Sequence, residues 1–124
     1  MPNGGSLLTM SFYGANKVMP NYNVMGIAKA ALETSVKYLS VDLGDKNIRV
    51  NAISSGPVRT LAGAAIANAR EVYKYTETNS PLKRNVKLEE IGNSALYLIS
   101  DLSRAVSGEI HYVDCGFNII GMPK

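Results

Sequence analysis

Tyr22 and Lys29 are the residues whose types and spacing could most readily do chemistry. They stand seven apart, and seven steps of about 100° return a helical side chain to within roughly 20° of its starting direction. On a helix their two heads can share one site. An ammonium beside a phenol favours the phenolate and makes the O–H a better proton donor than its ordinary pKa of about 10 suggests. Spacing alone is met more often by a surface tyrosine and a surface lysine on an amphipathic helix, because perturbed groups mark functional sites only statistically.

The elements that must position this pair can be read from the surrounding chain. Ser6 to Phe12 is a short, nearly continuous apolar run of the kind that forms a strand buried on both faces of a parallel sheet. Pro20 suits a first helical turn, and Asn21 and Asn23 suit its free N–H groups. The helix is expected to run to about Leu43, with an apolar stripe through Val24, Ile27, Ala28, Ala31, Val36 and Leu39, and Gly44 as its C-cap. Ile48 to Ile53 reads as a second strand, stopped by Ser54-Ser55-Gly56-Pro57. Leu88 to Asp101 reads as another amphipathic helix and Glu109 to Asp114 as a third strand. Leu61 to Ala69 is small and apolar, buries little area and is expected to be mobile, while Tyr73 to Asn79 is polar and aromatic.

This order implies an α/β fold of three parallel strands with helical crossovers. Ligands in such sheets bind beyond the carboxyl ends of the strands. Those ends are Ser11-Phe12, Ser54-Ser55-Gly56 and Asp114-Cys115-Gly116, and Tyr22 follows the first of them. Tyr13 and Lys17, four apart, are an internal competitor, but Pro20 follows too closely for one regular helix to carry them and Asn21 together.

Composition narrows the function classes. The chain has 124 residues, 46% of them apolar, enough for one modest domain with a real core. Net charge is +3 with scattered basic residues and no aromatic interleaving, which does not point to nucleic acid. A single cysteine rules out an internal disulfide and fits a reducing, cytoplasmic setting. No apolar stretch approaches the ~20 residues of a membrane span. His111 is the only histidine and has no second candidate ligand beside it, so no metal site is expected.

Tyr22 and Lys29 within Pro20-Asn21-Tyr22-Asn23-Val24-Met25-Gly26-Ile27-Ala28-Lys29-Ala30-Ala31-Leu32-Glu33, followed by Arg49-Val50-Asn51-Ala52-Ile53-Ser54-Ser55-Gly56-Pro57-Val58-Arg59-Thr60-Leu61-Ala62, closely resemble bacterial NADH-dependent enoyl-acyl carrier protein reductases. These belong to the short-chain dehydrogenase/reductase superfamily, whose wider membership spaces the tyrosine and lysine four apart where the enoyl reductases use seven. The resemblance runs from Gly4 to Met122. It implies the C-terminal half of a Rossmann-like, doubly wound sheet. The glycine-rich pyrophosphate loop that follows the first strand of the family's domain is missing here, since Gly4-Gly5 precedes a strand. Unaided activity of these 124 residues is therefore not expected.

The resemblance further implies hydride transfer from NADH to a trans-2-enoyl thioester on acyl carrier protein, in a homotetramer. Tyr22 would hydrogen-bond the thioester oxygen, and Lys29 would hold the nicotinamide ribose. Gly56, Pro57, Val58 and Thr60 would meet the cofactor. Phe12, Met25, Leu61, Ala62 and Ile66 would line the substrate pocket with Tyr22, and residues 61–75 would form a lid. Phe12 stands where many relatives carry a second tyrosine and is assigned apolar packing. Lys83, Arg84 and Lys87 form a basic group that could meet acyl carrier protein or simply be solvated. Two alternatives stay open: a carbonyl reductase working through Tyr13 and Lys17, and a non-catalytic scaffold for association.

Overall fold

The computed structural model describes residues 1–124. Strands β1 (Gly5–Phe12), β2 (Ile48–Ser55) and β3 (Ile110–Val113) form a parallel sheet in the order β1-β2-β3. The register sets Phe12 beside Ser55 and Ser55 beside Val113, so the three carboxyl ends finish on one level. Helix α1 (Val24–Asp42) joins β1 to β2. The short α2 (Leu61–Ala64), then α3 (Ala69–Asn79) and α4 (Leu88–Ile99), lie between β2 and β3.

Strand alternation sends successive side chains to opposite faces. On one face Val36 of α1 packs with Ile48, Val50 and Ala52, flanked by Leu43 and Ile110. Burial of Val36 contributes about 1.5–3 kcal/mol. On the other face Ile53 packs with Val86, Ile91 and Leu98, joined by Leu8, Val58 and Val113. Arg49 binds the second layer to the sheet: its guanidinium donates to the carbonyls of Leu98, Ser100 and Val106 and to Ser103 Oγ, at 2.9–3.2 Å. Asn51, wholly buried, ties the approach to β3 by donating to the Val106 carbonyl and accepting from the Glu109 N–H.

The start and the end of α1 differ from expectation. The helix begins at Val24, not at Pro20, because Asn21 and Asn23 take φ values of 63° and 45°. Asparagine tolerates that left-handed region where most residues do not. At the other end Gly44 opens a 3-10 turn over Gly44–Lys46, and Asn47 at φ 55° supplies the left-handed residue. The expected apolar stripe is also only partly buried: Val24 and Ile27 are exposed, and Val36 is the one apolar residue of α1 in the core.

Candidate active site

A cleft of about 1050 Å³ opens beyond the carboxyl ends of β1 and β2. Phe12 closes β1, Ser55 closes β2, and Gly56 to Thr60 continue from β2 as the cleft wall. The opposite wall is α2 and the inner face of α3.

Tyr22 stands at this cleft in the turn before α1, held by its N–H to the Met19 carbonyl and by its own carbonyl to the Met25 N–H. It therefore precedes the helix on which the seven-residue spacing had placed it. Its ring lies edge to face with Phe12, centroids 5.1 Å apart. The ring also rests directly on Gly14, where a Cβ would collide with Tyr22 Cδ1. Gly26 lets α1 approach equally closely, since a Cβ there would meet the Gly14 carbonyl oxygen at 2.8 Å. Only 7% of Tyr22 is exposed, and this burial raises the phenol pKa above its ordinary value.

That direction corrects the expectation for an isolated tyrosine and lysine. Lys29 Nζ donates to the Met10 carbonyl at 2.8 Å, and desolvation of the phenolate decides the Tyr22 titration. The phenol is held as a neutral hydrogen-bond donor.

Of the residues singled out from sequence, the fold brings Phe12, Tyr22, Gly56, Pro57, Val58, Thr60, Leu61 and Ile66 to one cleft. Lys29, Met25 and Ala62 do not line it; Met25 is nearly half exposed on the outside of α1. The lining residues that sequence reading placed in the lid over 61–75 without singling them out come mainly from α3, notably Ala69, Val72 and Tyr73. Their signal was present. Ala69, Val72, Tyr73 and Thr76 recur at i, i+3, i+4 and i+7, one helical face, and Thr76 is 2% exposed. The Arg59 guanidinium sits 4.9 Å from the centre of the Tyr73 ring and links the two walls.

The wall after β2 has chemistry of its own. Residues 57–60 carry no regular structure, and neither the N–H nor the carbonyl of Val58 makes a hydrogen bond within the chain. Val58 lines the cleft with this N–H and carbonyl left unpaired. Thr60 Oγ accepts from the Gly63 N–H at 3.0 Å and caps α2, which leaves its own proton to donate.

The competing pair is directed elsewhere. Tyr13 is buried against Phe117, centroids 5.4 Å apart, and lies outside the cleft lining. Lys17 places its ammonium 5.7 Å from the Tyr13 ring centre and donates to the Asn118 carbonyl. His111 is a half-buried residue of β3, and no three metal-ligating side chains are grouped. In the basic group, Arg84 is committed to Glu90 through two bonds of 2.6 and 2.8 Å.

A family model described as enoyl-(acyl carrier protein) reductase matches residues 1–118. The enoyl-[acyl-carrier-protein] reductase [NADH] 1 of Rhizobium meliloti is 62% identical over 122 residues, covering 98% of this chain and 45% of that protein. A crystal structure of FabI from Candidatus Liberibacter asiaticus superposes with a TM-score of 0.96 at 61% identity, over 100% of this chain and 48% of that one. An enoyl-(acyl-carrier-protein) reductase from Anaplasma phagocytophilum, solved in complex with NAD, gives 0.93 at 58% identity over 99% and 47%. The chain spans about half the length of the curated relatives it matches.

Proposed function

The chain belongs to the enoyl-acyl carrier protein reductase family, and from that footing we propose that its cleft serves the NADH-dependent reduction of trans-2-enoyl thioesters carried by acyl carrier protein, in fatty acid biosynthesis. The observation that carries this is the buried, neutral Tyr22 phenol in the same cleft as the unbonded Val58 backbone.

NADH, when bound, supplies the hydride for the β-carbon of the substrate. Reduction then builds negative charge on the thioester oxygen, and a positioned O–H donor stabilises it. Tyr22 is that donor; like any phenol it is protonated at neutral pH, and burial raises its pKa further. Val58 offers its N–H and carbonyl to the nicotinamide carboxamide, and Thr60 offers its hydroxyl proton to a phosphate oxygen. Gly56 and Pro57 shape the turn that presents them. Lys29 is assigned to the nicotinamide ribose on its spacing from Tyr22 and the family resemblance; the Met10 carbonyl holds it two residues before the end of β1. Phe12, Leu61 and Ile66 give the acyl chain an apolar wall.

Residues 61–75 are assigned the lid. Leu61 is 95% exposed and α2 spans only four residues, so little burial opposes movement there. The exposed apolar residues of α1, Val24, Ile27, Tyr38 and Val41, support association of copies as a homotetramer. The single cysteine fits a cytoplasmic setting, and no helix is long and apolar enough to cross a membrane.

The test is a chimera in which this chain replaces the matching segment of the Rhizobium meliloti relative, assayed by loss of NADH fluorescence with a crotonyl thioester. Turnover that requires both NADH and thioester is expected. A folded chimera that binds NADH without reducing the thioester would sink the reading. Light scattering on the same preparation should give the mass of four copies, and a monomer would contradict the assignment of the α1 face.

A further inference from the structure

Glu33 is the one acidic residue in the interior of α1 that is buried, at 7% exposure. Both of its carboxyl oxygens are engaged. Ser11 Oγ donates to Oε1 at 2.6 Å, and Asn16 Nδ2 donates to Oε2 at 3.1 Å while also donating to the Tyr112 hydroxyl at 2.8 Å. No basic side chain shares in these bonds, so the carboxyl group is retained in the interior by hydrogen bonding alone. Burying such a group is costly unless its bonds are made.

The two donors sit at informative positions. Ser11 and Asn16 bracket Phe12 to Ala15, and this is the segment on which the Tyr22 ring lies, edge to face on Phe12 and in contact with Gly14. Ser54, which lies between Ser11 and Tyr112 in the sheet register, is buried with no hydrogen-bond partner. The polar row across the strand ends is thus tied at its β1 and β3 sides, through Glu33 and Asn16, and not at its centre.

We propose that Glu33 is a positioning residue for the reductase site: by gripping both ends of the Phe12–Ala15 segment from α1, it fixes the seat on which the Tyr22 phenol stands. It does not line the cleft. The proposal rests on the function assigned above to Tyr22. A seat that loosens by about an ångström leaves binding largely intact and misplaces the donor, which lowers turnover by roughly tenfold to a hundredfold.

Two measurements separate this from a merely structural role. In the chimera, Glu33→Ala should lower kcat by about tenfold or more with KM for NADH within about twofold. Glu33→Gln, which keeps one acceptor oxygen, should recover part of the loss. In the 124-residue chain itself, hydrogen exchange read by mass spectrometry should accelerate in residues 12–22 by roughly tenfold in Glu33→Ala, with peptides from β2 and α4 unchanged. Unchanged exchange in 12–22, or a rise spread evenly over β2 and α4, would overturn the proposal whatever the chimera's activity. An inactive parent chimera with locally faster exchange would count against the reductase assignment and leave the positioning of Tyr22 standing.

Discussion

Burial governs the Tyr22 phenol. Its ionised form would lose water without gaining a cation, so the folded protein holds the proton more tightly than the unfolded chain does. A group raised in this way contributes its stability below the ordinary pKa of about 10, and that contribution is lost as pH rises through the folded value. Tyr112 shifts in the same direction, first through burial and then through nearby Glu33 and Asp114. Alkaline titration followed by phenolate absorbance should therefore show two of the seven tyrosines ionising late. Tyr22→Phe should remove one of the two, and a late fraction left unchanged would contradict the burial assigned to Tyr22. At this scale the fold gathers Phe12, Tyr22 and the wall from Gly56 to Thr60 into one cleft and leaves Lys29, Met25 and Ala62 outside its lining. Tyr22 was legible from its company, whereas the effect of Lys29 on it was not, because the Met10 carbonyl that holds the ammonium comes from β1. Glu33 was illegible for a related reason: an acidic residue in a helix reads as solvated until a strand and a turn are folded against it.

The elements were legible where apolar runs are short and bounded. β1 and β2 were expected within one or two residues of their observed spans, and α4 ends two residues before Asp101. The start of α1 was misplaced because asparagine serves both helix caps and left-handed turns, and only the backbone distinguishes them. α3 escaped because its polar residues mask one buried face. The start of α4 shows how local chemistry holds an element. Glu90 accepts from the Lys87 N–H at 2.8 Å and takes both arms of Arg84. The Arg84 guanidinium, with the Lys87 N–H second, pulls the Glu90 carboxyl down to about 2. A depressed carboxyl contributes stability above its ordinary pKa of about 4.3 and loses it as pH falls toward the folded value. The thermal midpoint should thus fall between about pH 5 and pH 2, and Glu90→Gln should flatten part of that slope. An identical slope in the variant would remove Glu90 from the acid response.

For the whole molecule, two layers on a three-stranded parallel sheet suffice to build one cleft at the strand ends, with its walls joined by Arg59 and Tyr73. They also leave apolar surface uncovered on β1, at Leu7 and Met10. That surface fits a chain spanning about half the length of its curated relatives. The central claim is that Tyr22, and not Tyr13, donates to the thioester oxygen. The direct test compares Tyr22→Phe and Tyr13→Phe in the chimera with a crotonyl thioester and NADH. Removing one oxyanion donor typically lowers kcat by about a hundredfold or more, so Tyr22→Phe should lose at least that much while Tyr13→Phe stays within about threefold of the parent. A Tyr22→Phe enzyme that keeps its turnover, or a Tyr13→Phe enzyme that loses it, would contradict the account.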